Sequence, residues 1–295
     1  MFNVSPVFAI WLAWFFTAAN VVVAKFATPY AASALFMLAS CTGATLCFSP
    51  YLIKNNGWKQ LFKRRVWWQC LLMATFGTAL PMTIFMIALN YTTPTNAAIL
   101  NQFEIVYSLL LAYFLLGEKP TLKQIFGSAV IVLGVGILLW QAGMSMQLKG
   151  DLLILGCLWM FQLSHIFAKK LPADMPPVLI SAARAMFAIP VLAILTASLW
   201  AIQGPQLFVP GPVLFSTLAF SAVCNYFIGN TFWYTAIRNM DLGKATAIIL
   251  SYPVCTFLLS VLLKQDTINI YKVLGMALAI GGAYIVTGII KGERK

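Results

Sequence analysis

Among the acidic residues of the chain, Glu104 is set apart by its surroundings. It lies near the middle of the apolar stretch Asn96 to Lys123, NAAILNQFEIVYSLLLAYFLLGEKPTLK. A charged side chain at the centre of a bilayer costs about 2.5–3.5 kcal/mol on insertion scales, so an acid placed there faces a cavity or a partner rather than lipid. Asn101, Glu104 and the pair Tyr107/Ser108 follow one another at helical spacing and share a face. A carboxylate in that setting can bind a proton or a cation. The competing role is a neutral or paired acid that ties helices together through hydrogen bonds.

A second stripe lies further along. Trp159, Gln162 and His165 recur every three residues, and His165 is the single histidine of the chain. An imidazole there suits a titrating gate or a substrate contact, against a packing histidine held by hydrogen bonds. No second His or Cys stands at ligand spacing from it, so no metal site is expected. Trp14 and Asn20 lie on the first apolar run, and Asn225 and Trp233 on the eighth. Such residues line a cavity or pack between helices, and tryptophan faces beside Glu104 would suit a cationic ligand. Tyr252-Pro253 sits 148 residues after Glu104-Ile105. A proline there frees a backbone carbonyl and permits a kink. Pro253 and Pro81 are therefore the expected hinges. The expected substrate-facing set is Trp14, Asn20, Asn101, Glu104, Tyr107, Trp159, Gln162, His165, Asn225, Trp233 and Tyr252, with Glu104 and His165 the pair for proton coupling.

These residues need elements that hold them, and composition says which kind. The 295 residues are 61% hydrophobic and 9% charged, with a mean hydropathy of +0.89. Soluble domains carry about 25% charged residues. The net charge of +12 is spread over short joins between apolar runs, which makes it a topology signal rather than a nucleic-acid surface. The cysteines at 41, 47, 70, 157, 224 and 255 sit in or beside apolar runs with no C-x-x-C pairing. They read as small buried hydrophobes. Met1 to Pro6 has no basic stretch, so no cleavable signal peptide is expected. No Walker-type glycine loop is present, and the scarcity of ionisable residues at one depth speaks against an enzyme. No cofactor is expected.

A spanning helix takes about 20 mostly apolar residues. Ten candidates run over 6–24, 30–53, 66–89, 95–116, 121–141, 150–168, 176–200, 211–236, 243–263 and 270–290. With the N-terminus inside, the inner joins and tail hold fourteen basic residues, including the run Lys63-Arg64-Arg65, Lys244 and Lys295. The outer joins hold only Lys25, Lys149, Lys264 and Lys272. This positive-inside bias places both termini in the cytoplasm.

A shift of 148 residues lays Gly127 on Gly275, Ala129 on Ala277, Gly134 on Gly282, Val106 on Val254 and Glu118 on Asp266. Five helices per half force the second half to insert upside down, and in inverted repeats the substrate site lies near the midplane between the halves. The fold expected is an all-α integral membrane protein of ten transmembrane helices in two inverted five-helix repeats. The first repeat covers 1–142 and the second 150–290, with a cytoplasmic tail at 291–295. Gly127, Gly134 and Gly136 in the fifth helix, and Gly275, Gly281 and Gly282 in the tenth, allow close backbone approach. They serve either packing within the chain or a homodimer through these two helices.

The run FEIVYSLLLAYFLLGEKPTLKQIFGSAVIVLGVGILL and its counterpart YPVCTFLLSVLLKQDTINIYKVLGMALAIGGAYIV resemble the drug/metabolite transporter superfamily, and within it the ten-helix transporters with EamA domains. Pro253 and Asp266 keep the family's spacing, as does Glu118, while Ile105 stands where the first half usually has proline. Gly150-Asp151 and Arg184 are also similar to the family pattern. The resemblance implies an inner-membrane carrier working by alternating access, commonly an exporter of amino acids or other small metabolites, with a cavity lined by helices 1, 3, 4, 6, 8 and 9. Its partners would be a small-molecule substrate and membrane lipid. The expected activity is outward movement of an amino-acid-like or cationic compound, in exchange for protons. The alternatives are a multidrug or nucleotide-sugar type carrier or, from another class, a membrane enzyme or receptor.

Overall fold

The computed structural model describes residues 5–116, 119–142, 146–169, 171–172, 174–239, 248–249 and 251–287. Glu118, Lys244 and the 291–295 tail lie outside the described residues. The helices are α1 Pro6–Ala27, α2 Ser33–Lys54, α3 Trp67–Ala88, α4 94–116, α5 Leu122–Ala142, α6 Met146–Lys169, α7 Pro177–Gln203, α8 212–239, α9 Tyr252–Leu262 and α10 Ile270–Thr287. Seven of these are long and apolar enough to cross a membrane; α4, α9 and α10 are interrupted or shorter. The ends agree with the hydropathy reading to within a few residues, except at α9, whose first part falls mostly outside the described residues. The basic join after α2 carries one unanticipated element, the short helix Gly57–Leu61.

Caps follow simple chemistry. Ser5 accepts from the Phe8 amide at the start of α1, and Thr93 accepts from the Asn96 amide at the start of α4, each followed by proline at the first helical position. That position has no use for an N–H, so proline costs nothing there.

The halves are joined face to face. α2 packs on α7, α1 on α8, α3 on α6, α5 on α10, and the first part of α4 on α9. Under the 148-residue relation every one of these contacts maps onto itself or onto another member of the set.

The glycines make the same point at atomic scale. A Cβ added to Gly127 would meet the Gly282 carbonyl at 2.8 Å, and one on Gly134 would meet the Gly275 carbonyl at 2.8 Å. Since Gly127 corresponds to Gly275 and Gly134 to Gly282, the repeat exchanges the two contacts. The close approach of these four glycines is therefore made inside the chain, between antiparallel α5 and α10. Gly136 and Gly281 meet nothing within 4 Å.

Two helices widen at equivalent places. Thr75–Ala79 of α3 and Phe220–Gly229 of α8 are π-helical; adding 148 to the first range lands inside the second. π-turns inside α-helices occur frequently at functional sites. In α3 the cause is readable. Pro81 has no N–H to give the carbonyl four residues back, so the Gly77 carbonyl loses its helical partner.

Candidate functional site

Glu104 opens the second part of α4. The helix runs as a regular α-turn over Pro94–Leu100, tightens to a 3₁₀ turn at Asn101–Phe103 and restarts as Glu104–Leu116. It breaks here without the proline that the family pattern would supply at Ile105. In the second half, α9 starts at Tyr252, the residue equivalent to Glu104, just after Ser251 leaves the ideal α-helical region.

Side chains from both halves meet around this break. Gln162 Nε2 donates to Glu104 Oε1 at 2.6 Å, and His165 Nε2 lies 3.5 Å from the same oxygen. Both belong to α6, one turn apart, as their stripe predicts. The Glu104 side chain keeps 29% of its surface accessible and His165 47%. Asn101 Nδ2 donates to the Tyr252 hydroxyl at 2.9 Å, and that hydroxyl donates to the Ala98 carbonyl at 3.3 Å. Trp14 Nε1 donates to Ser251 Oγ at 3.0 Å. Glu104, Gln162 and His165 thus form one cluster, and Asn101, Tyr252 and, through Ser251, Trp14 form a second at the same break.

Other anticipated residues lie apart. The Tyr107 ring stands edge-on to Phe103 at 5.4 Å. Trp159 faces Phe76 of the α3 π-segment at 6.5 Å. Asn20 Oδ1 accepts from Ser221 at 2.9 Å, and Asn225 lies within the α8 π-segment, its Oδ1 facing Gly229. Trp233 packs against the apolar core between α1 and α8. Pro81 and Pro253 each occupy the second position of a helical segment that follows a change in backbone hydrogen bonding.

Arg184, a basic residue within an apolar run, lies inside α7. Its guanidinium donates to the Gly77 carbonyl at 2.7 Å and to the Tyr234 hydroxyl at 3.2 Å. It supplies what Pro81 cannot. Ser164 on α6 donates to the Met73 carbonyl at 3.0 Å on the same stretch of α3. A Cβ on Gly77 would fall 2.1 Å from Ser164 Oγ, so glycine is required there. The sequence signal for this site is the spacing from Gly77 to Pro81. The four charges at the other end of the bundle, Lys25, Asp151, Asp266 and Lys272, were missed as a group because two of them look like loop lysines.

A family description, the EamA-like transporter family, matches residues 4–140 and again 148–288. The chain belongs to this family, and it is a multi-pass membrane transporter of the drug/metabolite type. Relatives include the "Uncharacterized transporter YyaM" of Bacillus subtilis, 22% identical over 70% of this chain and 69% of that protein. "Uncharacterized transporter YetK" of the same organism is 25% identical over 85% of this chain and 75% of that one. The "Probable amino-acid metabolite efflux pump" of Escherichia coli is 25% identical over 67% of this chain and 69% of that one. A crystal structure with a TM-score of 0.64 covers 95% of both chains at 17% identity, a likeness of fold.

Proposed function

We propose that this transporter is a secondary carrier that moves a small amino-acid-like or cationic metabolite out of the cell by alternating access in exchange for protons. It sits in the inner membrane with both termini in the cytoplasm, as the basic joins suggest. The observation that carries the reading is the single oxygen Glu104 Oε1, reached by Gln162 at 2.6 Å and His165 at 3.5 Å across the interface of the halves. An accessible intramembrane carboxylate between the repeats is where substrate and coupling ion compete. One relative named as an amino-acid metabolite efflux pump supports the substrate class.

In this cycle Glu104 holds either a proton or the cationic group of the substrate. Gln162 orients the carboxylate and His165 exchanges protons with it, while Asn101 and Tyr252 tie α4 to α9. The test is thermal stabilisation of the purified protein by amino acids, polyamines, nucleotides and cationic dyes at about pH 5.5 and about pH 8, since a ligand of the folded form raises its stability by mass action. A cationic hit that disappears in Glu104→Gln makes Glu104 its counter-ion. A zwitterionic hit that binds the variant but no longer responds to pH makes Glu104 the proton site. Ligand binding and pH response identical in wild type and Glu104→Gln would sink both roles.

A further inference from the structure

At the end of the bundle away from His165, the second turn of α6 carries Gly150-Asp151, about 21 Å along the helix from His165 at 1.5 Å per residue. Asp151 has no exposed surface and accepts hydrogen bonds from two residues of the opposite half. The Thr92 hydroxyl donates to its Oδ1, and Asn96 Nδ2 donates to Oδ2 at 3.4 Å. Gly150 makes this meeting sterically feasible, because a Cβ there would lie 2.8 Å from the Ala88 carbonyl and 3.0 Å from Thr92. The turn that carries Thr92 is held from behind by Lys25 of α1, whose ammonium donates to the Leu89 and Thr92 carbonyls. On the same rim Lys272 pairs with Asp266, and Gln265 Nε2 donates to the Val22 carbonyl at 3.1 Å. All seven residues of the first part of α4 are buried here, so the bundle is packed shut around this turn.

We infer that Gly150-Asp151 is the latch of the closed end. Asp151 is a positioning residue that docks the Thr92–Asn96 turn of the first half onto α6 of the second and releases it when this end opens. The arrangement suits a reversible catch. A buried carboxylate is tolerated when its oxygens are hydrogen-bonded, and water replaces those partners on opening. The closed form also leaves Asn96 Oδ1 buried without a partner, a penalty that hydration would relieve. The inference rests on a carrier with two alternating openings and not on the chemistry assigned to Glu104.

Hydrogen exchange of the full chain in lipid nanodiscs tests it without any substrate. In Asp151→Ala the amides of 88–100 should exchange at least roughly tenfold faster, since the variant removes both buried hydrogen bonds. Amides at the opposite end, over 48–57 and 176–182, should exchange more slowly, because the two ends open in alternation. Gly150→Ala leaves every charge in place and should produce the same pair of opposite changes, by wedging the turn away. Asp151→Asn, which keeps one acceptor oxygen, should shift both segments less. Faster exchange at 88–100 with no slowing at the far end marks a structural contact and overturns the latch. Unchanged exchange in Gly150→Ala overturns it as well, even if Asp151→Ala fails to fold.

Discussion

Glu104 and Tyr252 are each the first residue of a helical segment, 148 positions apart, so the repeat sets a carboxyl opposite a phenol. The two are reached from different directions, Glu104 by α6 and Tyr252 by Asn101 of α4. The pseudo-symmetry of the backbone is thereby broken in the side chains of this pair.

The Tyr252 hydroxyl is saturated, receiving from Asn101 and giving to Ala98. Tyr252→Phe should therefore lower stability by about 1 kcal/mol, the usual worth of a buried hydrogen bond, with interhelical bonds in membranes tending lower. Asn101→Ala should cost a similar amount, and the double variant clearly less than the sum. Thermal unfolding in detergent completes the cycle. Additive losses would mean that the bond across the break does no work.

The α5–α10 seam offers a steric comparison. Gly134→Ala and Gly282→Ala put a methyl against a backbone carbonyl at 2.8 Å and 2.6 Å, and overpacking of this kind typically costs 1–3 kcal/mol, here about 2. Gly136→Ala and Gly281→Ala meet nothing within 4 Å and gain helix propensity, so they should be neutral or slightly stabilising. Melting curves of the four variants check the ranking. Equal losses at all four positions would contradict a seam built on Gly127, Gly134, Gly275 and Gly282.

Hydropathy made the helices legible because each membrane crossing must satisfy its own backbone, and that requirement writes a long apolar run into the sequence. The repeat was legible from a handful of glycines because close backbone contact tolerates no other residue. The Glu104 face and the α6 stripe were each visible, but their pairing was not, since 58 residues separate Glu104 from Gln162 and periodicity does not report contacts between elements. Lys25 and Lys272 read as loop charges because position near a helix end does not tell a buried lysine from a solvated one. In the structure Lys272 is 5% exposed. The α8 π-segment left no trace in composition, whereas the α3 one did, through Pro81.

His165 and Gln162 separate two ways of serving Glu104. Gln162 is the close donor at 2.6 Å, and His165 the more accessible neighbour at 3.5 Å. Gln162→Leu removes a charge-assisted hydrogen bond but no titratable group, so it should weaken ligand affinity by roughly three- to tenfold while transport still responds to pH. His165→Asn removes the imidazole and should flatten or shift that dependence with a smaller change in affinity. Transport by reconstituted vesicles over a pH series distinguishes them. Identical profiles for both variants would remove His165 from proton exchange.

Arg184 and Pro81 are coupled through a single carbonyl. Pro81 denies the Gly77 oxygen its helical donor, and the guanidinium takes that place at 2.7 Å. Arg184→Met should therefore strand a carbonyl in the membrane interior and cost about 1–3 kcal/mol. Arg184→Lys keeps the charge but not the planar fork that spans the Gly77 carbonyl and the Tyr234 hydroxyl, and should recover only part of the loss. In a Pro81→Ala background a restored N–H competes for the same oxygen, so the effect of Arg184→Met should shrink. Unfolding of the single and double variants gives the coupling. If the Arg184→Met loss were the same with proline or alanine at position 81, the carbonyl would not be what the guanidinium is there to satisfy.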